Sequence, residues 1–118
     1  MRVKEALAEA AGNAADGYLK GCGFRILDRN WRHDDDIVAI VAVDRCWLVI
    51  VDLRVRAGTR YGAPLEVIGA ARRKAMRRLG ASWLAEHGSR FEQIRIDVVG
   101  LLQDGDGGFT IEHVRAVG

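Results

Sequence analysis

Residues 37–56, with the sequence IVAIVAVDRCWLVIVDLRVR, decide the fold because they contain two apolar segments joined by a polar pair. The first segment, 37–43, is unbroken, short and rich in β-branched residues, which predicts a strand buried on both faces. From Trp47 the pattern alternates, so a second strand is predicted with two distinct faces. One face carries Trp47, Val49, Val51, Leu53 and Val55, and the other carries Leu48, Ile50, Asp52, Arg54 and Arg56.

The flanking segments extend this hairpin into a single α/β domain over residues 1–118. Helical spacing of apolar residues predicts a helix over 3–20 and another from Pro64 to about Glu86, with a break near Gly69. Strands are predicted over 24–31, 93–102 and 109–114, and residues 33–36 form a polar turn. The resulting order, α-β-β-β-α-β-β, predicts a mixed β-sheet flanked by helices.

The net charge of +2 conceals an uneven distribution of charge along the chain. Residues 54–78 sum to +7 and the remaining residues to −5. This segment predicts a basic patch that binds nucleic acid through its phosphates, with little sequence dependence. An ordinary charged helix surface is the alternative. The basic residues concerned are Arg56, Arg60, Arg72, Arg73, Lys74, Arg77 and Arg78.

Other classes of protein are disfavoured by what the sequence lacks. No apolar run approaches the length of a membrane span, and Met1–Lys4 is not followed by the apolar core of a secretory signal. Cys22 and Cys46 form neither a disulfide framework nor a zinc motif. We therefore expect a cytoplasmic protein with reduced thiols and no organic cofactor.

Asp52 and Arg54 are the residues most suited to chemistry, because positions i and i+2 of a strand share a face. An acid followed at this spacing by a basic residue is a nuclease arrangement in which the acid holds Mg²⁺. The same pair can instead be a structural ion pair. A buried acid needs a partner, and either Arg54 or Arg72 can supply it.

Several further segments resemble the YraN-like family of small bacterial proteins. They are 23–32 (GFRILDRNWR), 62–68 (GAPLEVI), 83–88 (WLAEHG), 95–99 (RIDVV) and 112–115 (EHVR). The resemblance covers nearly the whole chain and implies a restriction-endonuclease-like core of the PD-(D/E)XK superfamily. It also implies a nuclease site, built from a Gly-Glu-Ile-Asp motif and a Val-Glu-Val-Lys motif on successive strands.

This chain departs from that family's acidic motifs. The second motif is Val51-Asp52-Leu53-Arg54, which keeps the charges but changes both residue types. An ungapped alignment places Ile37 and Ala39 at the two acidic positions of the first motif. A shifted alignment with two compensating gaps places Asp36 at the metal-binding position instead.

Three functions follow as hypotheses. The first is a YraN-like protein that binds nucleic-acid backbone with a degenerate, inactive metal site. The second is an active Mg²⁺-dependent endonuclease using Asp36, Asp52 and Arg54, with Asp36 and Asp52 as metal ligands. The third is a scaffold or interaction protein without nucleic acid, such as a homodimer formed through an exposed sheet edge.

Overall fold

Two helices and five strands make up the residues that the computed structural model describes, which are 3–57, 68–88, 91 and 93–117. The elements follow the predicted order. They are α1 (Val3–Gly21), β1 (Arg25–His33), β2 (Asp36–Asp44), β3 (Trp47–Ala57), α2 (Ala70–His87), β4 (Gln93–Gln103) and β5 (Phe109–Val114).

The strands form one mixed sheet in the order β1-β2-β3-β4-β5. All neighbouring pairs are antiparallel except β3 and β4, which are parallel and joined through the segment that contains α2. The β2–β3 pairing runs from Asp44 opposite Trp47 to Ile40 opposite Val51. On its other side β2 pairs with β1 along nearly its whole length, from Val43 opposite Arg25 to Asp36 opposite His33. Beyond Ile40 the described pairing of β2 and β3 stops, so the sheet divides at this end.

Each face of the sheet is covered by one helix, which gives two separate apolar clusters. The α1-side cluster contains Ala11, Ala15 and Leu19 of the helix and Val49 and Val51 of β3. The α2-side cluster is formed by a different set of buried residues. It contains Leu48, Ile50, Met76, Leu79, Trp83, Ile96 and Val98. The alternation of apolar residues in β3 therefore predicted both of its faces correctly.

Helix α2 lies especially close to the sheet at Gly80. A Cβ atom at this position would lie 3.0 Å from Ile50 Cγ1 and 3.1 Å from Ile94 Cγ2. The missing side chain therefore permits the close approach. The spacing of apolar residues predicts Ala71 in the buried stripe of α2, but Ala71 is exposed and Gly80 is buried. The helix begins at Ala70, and its buried side is set by Met76, Leu79, Gly80 and Trp83.

Other details refine the sequence predictions. The β2–β3 turn is formed by Arg45 and Cys46, one residue later than predicted, with Arg45 at a φ of 58°. The predicted helix start at Pro64 lies outside the described residues. Both cysteines are free and exposed. Neither helix in the described part of the chain has the length and apolar character needed to cross a membrane.

Candidate functional site

Asp52 and Arg54 share the face of β3 that is directed toward α2. The Arg54 Nε donates a hydrogen bond of 3.3 Å to Oδ2 of Asp52. The Asp52 side chain is only 14% exposed, so its charge depends on neighbouring cations rather than on water. The predicted same-face ion pair is therefore present.

Arg72 of α2 brings a second carboxylate to this pair. Its Nη2 atom lies 3.4 Å from Asp52 Oδ1, and its Nη1 atom lies 3.7 Å from Asp36 Oδ1. The structure thus brings together Asp36 and Asp52, the two acids of the shifted alignment, around one guanidinium. Ala39 packs against the α1-side cluster, on the other face from Asp52. We call Asp36, Asp52, Arg54 and Arg72 the Asp/Arg cluster.

The Asp/Arg cluster does not fit Mg²⁺ as it stands. Two carboxylates face two guanidiniums, so the local charges cancel, and both oxygens of Asp52 and one oxygen of Asp36 already contact a guanidinium. The described residues also contain no group of three or more His, Cys, Asp or Glu side chains arranged to hold a metal ion. The arrangement can hold the N-terminal end of α2 against β2 and β3 through salt bridges alone, without a metal.

The predicted nucleic-acid-binding residues occupy different environments. Arg73 bonds through Nη1 to the carbonyl of Ile68, and Arg77 Nη1 lies 3.5 Å from the carbonyl of Ile94. Lys74 and Arg78 are exposed on the side of α2 away from the sheet, and Arg56 is exposed on β3. Arg72 differs from these residues because it is directed at the Asp/Arg cluster, and Arg60 lies outside the described residues.

The opposite face of the sheet carries a buried ionic network that the sequence analysis found only in part. Asp97 of β4 is fully buried and accepts hydrogen bonds from Arg95 Nε at 2.8 Å and Arg95 Nη2 at 3.0 Å. Its other partners are His113 Nε2 at 2.8 Å and the Ala116 amide at 3.0 Å. Arg95 also donates a hydrogen bond of 2.8 Å from Nη1 to Oδ2 of Asp44. The sequence predicts that Asp97 either pairs with Arg95 or caps a loop, and the structure contains both kinds of contact.

The hydrogen bonds set the protonation of this network. A carboxylate can only accept, so the Nε2 atom of His113 carries a proton toward Asp97. His113 Nδ1 lies 3.0 Å from the Tyr18 hydroxyl of α1, which joins β5 to the helix. Burial raises the pKa of Tyr18, and its neighbour Cys22 raises it further.

The pKa values of the two central charges move in opposite directions. Burial acts to raise the pKa of Asp97, but hydrogen bonds from His113, Arg95 and the Ala116 amide outweigh it and hold the pKa below its ordinary value. Burial likewise acts to lower the pKa of Arg95, and Asp97 and Asp44 together raise it. Each charge therefore stabilises the other, and the network is structural rather than poised to transfer a proton.

A third group of polar contacts attaches the C-terminal end of α2 to β1. The Trp83 indole donates a hydrogen bond of 3.1 Å to Asp28 Oδ2. The His87 ring stacks on Trp83 with 4.0 Å between ring centroids, and His33 stacks on Trp31 at 5.2 Å. Trp31 packs beside the α2-side cluster and Trp47 beside the α1-side cluster. The Trp83–Asp28 hydrogen bond holds the C-terminal part of α2 against β1.

Comparison with known proteins identifies the family. The model of the uncharacterised protein family UPF0102 matches residues 11–101. A UPF0102 protein of Arthrobacter sp. (strain FB24) is 41% identical over 118 residues, which is the full length of both chains. One from Beutenbergia cavernae is 36% identical over the full length of both, and one from Frankia casuarinae is 36% identical over 98% of each. The chain therefore belongs to the UPF0102 family, the YraN-like family of the sequence resemblance.

Proposed function

We propose that this protein binds nucleic-acid backbone on a restriction-endonuclease-like scaffold and does not cut it. The observation that carries the proposal is the Arg72 guanidinium between Asp36 and Asp52. In the nuclease arrangement that the sequence resembles, carboxylates at these positions hold a cation. Here an internal cation contacts both of them, so a divalent ion would compete with Arg72 for these carboxylates. The order of helices and strands and the divided end of the sheet are compatible with such a scaffold.

The binding surface that we propose is the outer side of α2 together with Arg56. Lys74 and Arg78 are four residues apart, and Arg73 and Arg77 repeat the same spacing on a neighbouring side of the helix. Residues four apart are about 6 Å apart along the axis, so the cations form two short rows. No acid lies within α2 before Glu86, so the helix itself adds no negative charge beside the two rows, and a phosphate backbone is attracted to such a surface.

The salt dependence of binding tests this surface. We expect binding of a labelled duplex to weaken strongly between about 50 and 200 mM salt, because phosphate contacts release counterions. Replacing both Lys74 and Arg78 by alanine lowers the slope of log K against log salt by about 1.8. The matched control replaces Lys20 of α1 and Arg25 of β1, which are exposed cations outside the proposed surface, and leaves the slope unchanged. Equal slopes for both variants, or no binding at the lower salt concentration, contradict the proposal.

An active Mg²⁺-dependent nuclease is the second candidate, because Asp36 and Asp52 contact the same guanidinium. Calorimetry with Mg²⁺ and Mn²⁺ separates the two functions. If the protein does not cut, titration with either ion produces no saturable heat. Single-stranded, nicked and branched DNA then stay intact. Saturable binding that Asp52→Ala abolishes, together with cleavage of any of these substrates, refutes the non-cutting proposal and establishes the second candidate.

A further inference from the structure

A recess of about 360 Å³ lies at the start of β3 and β4, away from the Asp/Arg cluster. Trp47 and Asp52 are five residues apart on β3, so about 16 Å of strand separates the recess from the cluster. The volume is within the range of small-molecule sites. Its lining residues are Trp47, Arg77, Ile94, Arg95, Ile96 and Ala116.

We propose that this recess accepts an unpaired nucleobase of a single-stranded nucleic acid whose backbone lies along α2. The inference rests on the proposed function and specifies its substrate class as single-stranded. Trp47 supplies a half-buried indole, and two isoleucines supply apolar surface. Bases stack on such aromatic walls whatever their identity, since every base has a π face.

The charges around the recess favour a nucleotide over an uncharged aromatic ligand. Among the described residues that line the recess there is no carboxylate, and Arg77 is exposed on α2. Trp47 packs beside the α1-side cluster and Arg77 belongs to α2, so residues from both faces of the sheet line the recess. The recess and the basic helix are therefore continuous through one residue.

Arg95 contributes a rigid wall rather than a donor. Its guanidinium is only 11% exposed and is held by Asp97 and by Asp44 at 2.8 Å each. With its nitrogens engaged and its guanidinium over the Phe24 ring, 5.5 Å from the centroid, Arg95 is a fixed part of the wall. A recess that is already rigid loses little conformational entropy when a planar ring enters it.

The test compares strands of equal charge that differ in their bases. Fluorescence anisotropy measures binding of the unmodified protein to labelled oligothymidylate of about 12 nucleotides, to an abasic strand of the same length, and to a duplex. We expect the oligothymidylate to bind about tenfold more tightly than the abasic strand. Equal affinity for both strands overturns the inference while leaving backbone binding in place. Failure of every strand and duplex to bind overturns the proposed function itself.

Variants assign the preference to the recess. Trp47→Leu keeps an apolar side chain and removes the preference for bases, and Trp47→Phe restores part of it. Trp31→Leu is the matched control, because Trp31 is also half-buried but lies on the edge strand β1, where it stacks on His33. A preference that survives Trp47→Leu, or that Trp31→Leu removes equally, contradicts the assignment. The comparison of strands on the unmodified protein remains decisive if a variant fails to fold.

Competition by a mononucleotide distinguishes a site for single-stranded nucleic acid from a site for free nucleotides. Thymidine monophosphate is expected to compete with the oligothymidylate only weakly, because it lacks the phosphates that contact α2. Competition at the same concentration as the strand itself means that the recess is a site for free nucleotides, and it overturns the single-strand inference.

Discussion

Asp97→Asn is expected to be among the most destabilising single substitutions in the described part of the chain. The substitution keeps the shape of the side chain but removes its charge from a fully buried position. Its amide presents two donors and one acceptor to four donor contacts, from Arg95, His113 and the Ala116 amide. Arg95 then keeps only Asp44 as a close partner.

Removing one partner of a buried pair costs about 3–5 kcal/mol, because the other charge stays buried without compensation. With a urea m-value of about 2 kcal/mol/M, the unfolding midpoint falls by about 2 M. Urea denaturation followed by circular dichroism measures this shift. Asp16→Asn is the control, since Asp16 pairs with exposed Lys20 on α1, and it costs about 0.5 kcal/mol or less.

The pH dependence gives a second readout. The pKa of Asp97 is lowered in the folded protein, so its stabilisation is present above the unfolded value of about 4 and disappears as the pH falls through the lower, folded value. The difference in stability between the unmodified protein and Asp97→Asn therefore narrows in acid below about pH 4. A difference under about 1 kcal/mol at pH 7, or one that stays constant down to pH 3, refutes this account of the network.

Two further substitutions test how α2 is attached. Gly80→Ala lowers stability by about 1 kcal/mol in urea denaturation, because crowding against Ile50 and Ile94 outweighs the better helix propensity of alanine; a stabilised variant contradicts this close contact. Trp83→Phe costs about 1 kcal/mol through the lost bond to Asp28, and a double-mutant cycle with Asp28→Ala measures the coupling. A coupling energy near zero means that this hydrogen bond contributes nothing.

Much of the fold could be predicted because its signals are local. The alternation of β3 assigned Asp52 and Arg54 to one face, and the turn residues between apolar segments gave the order of elements. The helical phase of α2 was predicted less well, because an exposed alanine and a buried glycine have no distinctive pattern. Ala71 and Gly80 are these two residues, and only the distance between helix and sheet decides which is buried.

The sites were harder to predict than the fold because their partners are distant in sequence. Arg72 and Asp52 are 20 residues apart, and Tyr18 and His113 are 95 apart. Arg72 is a predicted partner of Asp52, but it is also one of the residues predicted to bind nucleic acid. The Arg95-x-Asp97 spacing was the one local sign of the buried network. Nothing local indicated that His113 and the Ala116 amide complete it.

The parallel pairing of β3 with β4 has a consequence for the order of folding. Strands β1 to β3 are joined by short turns, whereas β4 must return to β3 after the whole of segment 58–92, which carries a larger closure entropy. We expect the hairpins to form first and β4 to dock late, so that Asp97 reaches its partners after the transition state. Stopped-flow kinetics then shows Asp97→Asn accelerating unfolding by roughly 10²–10⁴-fold, with refolding almost unchanged. A comparable slowing of refolding refutes this order. The buried network thus controls chiefly how long the folded state lasts, and the hairpins control how quickly it forms.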